Sequence, residues 1–258
     1  MKILAIGNSF SEDATAYLYQ IGKAGGYDLK VVNLYIGGCS LERHWNNVRG
    51  DIADYDYQLN GSHTNRKISI KEALLEEQWD IITLQQCSGQ SGLKESYFPY
   101  MEELSVYIGS LVPQAKQWIH MTWAYEKDSD HGEYGYYNHN QDKMYEDLSK
   151  AYDLASKRLS LPIIPCGDMI QYLRSLPSFN YGNGGRSLCR DGYHMDIPYG
   201  RYALALTWYK TLLHGDILSN TFVPVQEGIE TDDKLLKVIK EGVNAQINIL
   251  RSLSSVSI

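Results

Sequence analysis

Residues 1–13 read MKILAIGNSFSED, and this stretch places one serine at the end of a predicted buried strand. The apolar run from Lys2 to Ile6 predicts a strand, a Gly-Asn pair interrupts it, and a helix is predicted from Asp13 to Lys23. In open parallel α/β sheets, ligands bind beyond the carboxyl ends of the strands, beside the free N–H groups of a helix start. Ser9 therefore lies where such a fold exposes a nucleophile, although a serine at position 9 or 11 that only caps the helix would give the same pattern.

The rest of the chain alternates strand patterns with helix patterns. Further strands are predicted at 29–36, 81–84, 118–123 and 162–165. Further helices are predicted at 68–78, 97–111, 141–159, from Asp168 onward, and at about 198–213 and 232–252. This alternation predicts a mostly parallel sheet covered on both faces. The polar segment 40–66 has weak periodicity and is predicted to be a surface insertion that forms one wall of the site.

Length, charge and cysteine spacing exclude several classes of protein. No linker-like stretch divides the 258 residues, so we interpret 1–258 as one domain. The net charge of −7, without a Lys/Arg cluster, argues against a nucleic-acid partner. Four separated cysteines without a C-x-x-C pair argue against a metal site and a disulfide framework. Without a membrane-length apolar run or an export signal, we expect no membrane partner and a cytoplasmic protein by default; a signal removed ahead of this sequence would make it periplasmic or secreted. Nothing in the sequence fixes an oligomeric state.

A late segment supplies the groups that a serine nucleophile needs. Serine attacks when a neutral histidine takes its proton, and that histidine needs a carboxylate on its other ring nitrogen. Asp191 and His194 are three positions apart in a predicted loop, so that the carboxylate can orient the imidazole toward Ser9. A histidine that packs beside the following helix is the structural alternative.

Acyl transfer also needs hydrogen-bond donors aimed at the developing oxyanion, each worth roughly 3–4 kcal/mol of barrier. The candidates follow the first three predicted strands: the backbone N–H groups of Ser9 and Gly38, and the side-chain amide of Gln86 or Gln85. Turn formation by Gly37-Gly38 and hydrogen bonding of the glutamines to loop backbone are the structural alternatives.

Three blocks of the sequence resemble the GDSL/SGNH hydrolase superfamily. Residues 6–11, IGNSFS, resemble its first block, with Asn8 where the eponymous motif has Asp. Residues 31–38 resemble its second block, whose glycine, here Gly38, donates to the oxyanion. Residues 191–194, DGYH, match the D-x-x-H block that carries the acid and base of the triad. The blocks occur in the family's order and span most of the chain.

The third block departs from the superfamily pattern. In place of G-x-N-D, whose Asn is a side-chain oxyanion donor, residues 85–90 read QQCSGQ. Sialate and xylan acetylesterase-like branches have a glutamine near this point, so the resemblance transfers the role to Gln86, with Gln85 as the second choice. The combination of GNSFS, LQQ and residues 123–125, WAY, also resembles an uncharacterised branch common in gut and soil bacteria that degrade glycans.

The resemblance implies a flavodoxin-like three-layer αβα sandwich with five parallel strands in the order 2-1-3-4-5. It also implies ester hydrolysis without a metal or cofactor. Ser9 would attack the ester, His194 would relay the proton, Asp191 would orient His194, and Ser9, Gly38 and Gln86 would hold the oxyanion.

The leading hypothesis is a serine esterase that removes small acyl groups, acetyl foremost, from a carbohydrate. The acetyl group comes from the resemblance. The carbohydrate comes from a chain rich in aromatic residues, with 21 Tyr and 5 Trp, some of which lie in polar loops after the strand ends: Trp45, Tyr55, Tyr57, Trp123, Tyr125 and residues 134–137. Trp45, Trp123 and Tyr125 are predicted to stack on the substrate. A lysophospholipase or thioesterase on the same triad, and a binding module without catalysis, are the alternatives. A flavodoxin-type nucleotide binder is disfavoured because G-x-G-x-x-G is absent from the first turn.

Overall fold

One mixed sheet runs through the protein, whose computed structural model describes residues 1–255, excepting the side chains of residue 251 and of 253–255. Within these residues the strands are β1 (Lys2–Gly7), β2 (Lys30–Tyr35), β3 (Tyr55–Leu59), β4 (Ser62–Ile68), β5 (Ile81–Leu84), β6 (Lys116–His120) and β7 (Ile163–Ile164). Their order across the sheet is β4-β3-β2-β1-β5-β6-β7. In the spatial run β2-β1-β5-β6-β7, adjacent strands pair in parallel. Strand β3 is antiparallel to both β2 and β4. The carboxyl ends of five parallel strands therefore meet at one edge.

The predicted five-stranded parallel sheet is wrong in strand number and in strand direction. The extra strands form a hairpin largely within 40–66, the segment predicted to be a surface insertion. In β3 the alternate residues Tyr55 and Tyr57 are buried, so this strand extends the core. In β4, residues 62–67 are all exposed, and their polar side chains protect an edge strand from pairing with another chain.

Eight of the nine helices in the described residues form two groups. The helices are α1 (Ser9–Thr15), α2 (Leu18–Ala24), α3 (Leu41–Gly50), α4 (Ile70–Glu76), α5 (Tyr100–Leu111), α6 (Gln141–Leu159), α7 (Cys166–Ser175), α8 (Gly200–Leu213) and α9 (Asp233–Ser255), with short 3-10 turns at Ser88–Gln90, Lys94–Ser96, Gly132–Tyr137, Pro177–Phe179 and Tyr181–Asn183. Helices α3, α4 and α5 contact one another, and α1, α2, α7 and α9 contact α8. Almost every residue of α8 is buried, so this helix is the centre of its group. Among the described residues, no helix is long and apolar enough to span a bilayer.

Candidate active site

The turn between β1 and α1 presents Ser9 without using it as a helix cap. Asn8 caps α1, because its Oδ1 accepts a hydrogen bond from the N–H of Phe10 at 3.0 Å. The hydroxyl of Ser11 accepts one from the N–H of Asn8, also at 3.0 Å, which completes a capping box. The helix therefore begins at Ser9 rather than at the predicted Asp13. Since its neighbours cap the helix, the Ser9 hydroxyl is available for another partner.

That partner is His194. Its Nε2 lies 2.8 Å from Ser9 Oγ, and its Nδ1 lies 2.7 Å from Asp191 Oδ2. The other carboxylate oxygen of Asp191 accepts hydrogen bonds from the backbone N–H groups of His194 at 2.7 Å and Tyr193 at 3.2 Å. A tight turn thus fixes the carboxylate on the imidazole. The fold brings these three predicted side chains into one hydrogen-bonded line, although Ser9 and His194 are 185 positions apart.

The charge of Asp191 determines which nitrogen of His194 carries the proton. Burial by itself raises the pKa of Asp191, but hydrogen bonds from the side chain and backbone of His194 outweigh it, so that the net pKa is below its ordinary value. An ionised carboxylate can only accept, so it holds the proton on Nδ1. Nε2 is then the acceptor that faces Ser9, as a general base requires.

Two of the three residues predicted to stack on a substrate are buried instead. Trp123 has no exposed surface, stacks on Phe10 with ring centroids 4.2 Å apart, and donates its indole N–H to the carbonyl of Tyr193 at 2.8 Å. Tyr125 is equally buried, and its hydroxyl lies 2.9 Å from Ser88 Oγ. Neither ring has a face open to solvent in this structure. Trp123 instead supports, from inside, the loop that carries His194.

Trp45 keeps some exposed surface but lies at a different place. It packs edge-to-face against Tyr107, at 6.3 Å between ring centroids. The groove that it lines lies between α3 and α5 and includes none of the residues 9, 191 and 194. One aromatic ring that does contact the Ser9 site is that of Tyr193. It is half-buried, and its centroid lies 4.4 Å from that of the His194 imidazole.

Two backbone N–H groups remain free near Ser9. Gly38 follows β2, which pairs with β1, and its φ of +61° is in the left-handed region that favours glycine. The adjoining carbonyl of Cys39 accepts a hydrogen bond from Asn8 Nδ2 at 3.1 Å, so the two turns are tied together. Within residues 1–255, neither the N–H of Ser9 nor that of Gly38 has a hydrogen-bond acceptor. They are donors that a bound oxyanion could use.

The side-chain amides predicted to serve the oxyanion, those of Gln86 and Gln85, have hydrogen-bond partners within the protein. Gln86 has no exposed surface, and its amide nitrogen donates to the carbonyl and hydroxyl of Ser96 at 3.0 and 2.9 Å. Both of its amide hydrogens are thereby used. Gln85 is buried as well and donates to Asn8 Oδ1 at 2.8 Å. Both side chains tie together the turns beneath the site.

A buried histidine that sequence analysis missed continues this hydrogen-bonded chain. His120 ends β6, and its Nδ1 lies 2.6 Å from Gln85 Oε1. Burial lowers the pKa of His120 to about 3, so the ring is neutral and its Nδ1–H donates to Gln85. The chain His120–Gln85–Asn8 therefore links the ends of β6, β5 and β1 below Ser9. In the sequence this histidine lay inside the predicted strand 118–123, which continues three residues beyond the observed end of β6.

A cavity of 310 Å³ opens beside Asp191. Polar side chains dominate its lining, which consists of Asp128, Asp130, Tyr181, Ser187, Cys189, Arg190, Asp191 and Gly192. The ring of Tyr181 is exposed, and its hydroxyl donates to Asp128 at 2.8 Å. Sequence analysis missed this cavity, because its walls come from three separate loops. Within the described residues, no three His, Cys, Asp or Glu side chains are placed to hold a metal ion.

Comparison with known proteins identifies the family. The family model of the DUF4886 domain, a domain of unknown function, matches residues 2–238. This chain belongs to the DUF4886 family. A DUF4886 protein from Bacteroides uniformis is 37% identical, with a TM-score of 0.86 over 96% of this chain and 94% of that one. No curated protein matches the chain.

More distant structures share the fold of this DUF4886 protein. A candidate SGNH hydrolase from Slackia heliotrinireducens is 19% identical, with a TM-score of 0.53 over 82% of this chain and 98% of that one. The acetyl xylan esterase AlAXEase is 16% identical, with a TM-score of 0.50 over 82% of this chain and the whole of that one. At such identities the likeness shows a shared α/β fold and nothing more.

Proposed function

We propose that this DUF4886 protein is a serine esterase that hydrolyses small acyl esters, acetyl foremost, of a carbohydrate. One observation carries the proposal: Ser9 Oγ, the imidazole of His194 and the carboxylate of Asp191 form a continuous line with gaps of 2.8 and 2.7 Å. Nucleophile, base and orienting acid are in hydrogen-bond contact, which is the arrangement that activates a serine.

The reaction follows from these contacts. Ser9 Oγ attacks the ester carbonyl while its proton passes to His194 Nε2, and Asp191 stabilises the imidazolium. The carbonyl oxygen becomes an oxyanion that accepts from the N–H groups of Ser9 and Gly38. When the intermediate collapses, His194 returns the proton to the departing alcohol oxygen. Water then attacks the acyl-serine by the same route, which releases the carboxylic acid and restores Ser9.

The cavity beside Asp191 supports a carbohydrate as the alcohol part of the substrate. Its carboxylates, its hydroxyl and its guanidinium suit a ligand rich in hydroxyl groups. The exposed ring of Tyr181 offers a face for a sugar ring. These features replace the buried Trp123 and Tyr125 as support for the sugar. An acetyl xylan esterase among the proteins of similar fold is in keeping with such a substrate.

Initial rates on p-nitrophenyl acetate, butyrate and octanoate test the proposal, with wild type compared with Ser9→Ala. Ser175→Ala is the matched control, because this serine is exposed on α7. We expect the rate to fall with acyl length and the Ser9 variant to lose roughly 10⁶-fold, as when a triad nucleophile is removed. Release of acetate from acetylated xylo-oligosaccharides, at a higher kcat/KM than p-nitrophenyl acetate, would support the carbohydrate.

The other outcomes separate the alternatives. Rates that rise toward octanoate would favour a lysophospholipase or thioesterase on the same three residues. Binding of acetylated oligosaccharides without any serine-dependent turnover would indicate a binding module, and the proposed hydrolysis would be wrong.

A further inference from the structure

A buried carboxylate joins the helix that carries Ser9 to the loop that carries His194. Asp13 lies on α1, one helical turn after Ser9, and its side chain has no exposed surface. It accepts hydrogen bonds from Arg190 Nη1 at 3.0 and 3.2 Å, from Arg201 Nε at 2.8 Å and from the N–H of Met195 at 2.8 Å. Sequence analysis assigned no role to this aspartate.

Two of these three partners are the residues on either side of the Asp191–His194 segment. Arg190 directly precedes Asp191, and Met195 directly follows His194. The segment is also closed on itself, because the N–H of Arg190 donates to the carbonyl of His194 at 2.9 Å and Arg190 Nη1 donates to the carbonyl of Met195. Asp13 thus holds both ends of one small closed loop.

We propose that Asp13 and Arg190 are positioning residues, which set the distance between His194 Nε2 and Ser9 Oγ by tying the His194 loop to α1. The inference rests on the proposed function. A displacement of about 1 Å of a catalytic group can cost roughly 100-fold in rate. Ser9 and Asp13 lie on one rigid helical turn. The carboxylate of Asp13 therefore fixes the position of the His194 imidazole relative to the Ser9 hydroxyl.

Arg201 provides a matched control. It lies on α8, outside the His194 loop, yet it also pairs with Asp13 Oδ1 at 2.8 Å, as Arg190 does at 3.0 Å. Removal of either guanidinium leaves the same buried carboxylate with one cation fewer, which destabilises the fold through the same cause. Only the loss of Arg190 also removes one of the two contacts through which Asp13 holds the His194 loop.

The experiment compares Arg190→Gln with Arg201→Gln, with Ser9→Ala as the reference for serine-dependent turnover. We expect both arginine variants to lower Tm, but only Arg190→Gln to lower kcat on p-nitrophenyl acetate, by roughly 10- to 100-fold with little change in KM, because this substrate has no sugar to contact the cavity that Arg190 lines. The conservative Arg190→Lys, which keeps the cation but not the planar fork, should restore part of kcat. Equal kcat in Arg190→Gln and Arg201→Gln would overturn the proposal.

A second readout does not depend on hydrolysis. The imidazole resonances of His194, assigned by comparison with His194→Gln, report the ring's environment through NMR. We expect Arg190→Gln to shift and broaden them and Arg201→Gln to leave them as in wild type. If the wild type shows no Ser9-dependent hydrolysis, the proposed function fails, and this measurement still decides whether Arg190 positions His194. Identical His194 spectra in both variants would overturn the inference. If Arg190→Gln does not fold, Arg190→Lys takes its place in both measurements.

Discussion

The side chain of Gln86 makes four hydrogen bonds, two through its amide nitrogen to Ser96 and two through Oε1 from the N–H groups of Leu41 and Cys87. Gln86→Ala would leave buried backbone donors without a partner, at roughly 1–3 kcal/mol each. We therefore expect this variant to lose about 3 kcal/mol of unfolding free energy in urea titrations. The kcat of the fraction that remains folded should be close to that of wild type.

Gln114→Ala is the control, since Gln114 is exposed in the turn before β6 and its replacement should leave unfolding unchanged. The opposite pattern, a kcat lowered roughly 100-fold at unchanged stability, would return the oxyanion role to Gln86.

For individual residues, the sequence predicts contacts between side chains more reliably than it predicts which side chains are exposed. Ser9, Asp191 and His194 each lie in a short local motif, and the parallel sheet brings the motifs to one edge. The burial of Trp123 depends instead on Phe10, which stacks on it from more than a hundred residues away. A tryptophan after a strand looks the same in sequence whether its ring faces solvent or another ring. The contact between Asp13 and Arg190 could not be predicted either, because it joins residues that are 177 positions apart.

Among the elements, the hairpin of β3 and β4 shows where pattern reading fails. β3 alternates buried tyrosines with polar residues, which is the signal of a half-buried strand. β4 has six consecutive exposed residues, and an edge strand exposed on both faces has no apolar period to detect. The buried strands β1, β2 and β5, which precede Ser9, Gly38 and the glutamines, have the mostly apolar runs from which they were predicted.

Arg174 joins several elements through one buried guanidinium. It projects from α7 and donates to the carbonyl of Ala124 at 2.8 Å and to Cys189 Sγ at 3.3 Å, while its Nε lies 3.6 Å from Glu126 Oε2. Both charged side chains are buried. Because removing one partner of a buried pair leaves the other charge uncompensated, Arg174→Met should cost about 3–5 kcal/mol in urea unfolding.

Arg158→Met is the matched control for the buried pair of Arg174 and Glu126. Arg158 pairs with Glu102 at 2.6 Å, but both side chains are about half exposed. Solvent screens such a pair, so the loss should be below about 1 kcal/mol. Equal losses of unfolding free energy in the two variants would show that the buried pair stabilises the contact of α7 with its neighbouring loops no more than an exposed pair does.

For the whole molecule, two buried histidines link stability to pH. Burial lowers the pKa of both His44 and His120 to about 3, helped at His44 by the charge of Arg43. In the unfolded chain both imidazoles bind protons near their ordinary pKa of about 6.5. Between these two values the unfolded state binds more protons, so the free energy of unfolding falls as the pH falls through this window.

Each of the two histidines should remove about 2 kcal/mol of stability between pH 6.5 and pH 5. His120→Asn, whose amide can still donate to Gln85, eliminates one titration, so we expect its stability to decline by about 2 kcal/mol less than wild type over that interval. Urea unfolding at several pH values measures the difference. A slope in His120→Asn equal to that of wild type would contradict the prediction.

The contacts of Asp13 also bear on how the protein folds while it is being made. Its partners Arg190, Met195 and Arg201 follow it by 177, 182 and 188 residues. A ribosome adds roughly 5–20 residues per second, so Arg190 and Arg201 are synthesised on the order of ten seconds after Asp13. Until then, burial of an unpaired charge opposes native packing of the first helix. Native packing of α1 is therefore expected only after residues 190–201 have emerged, and Ser9 comes into contact with His194 only then.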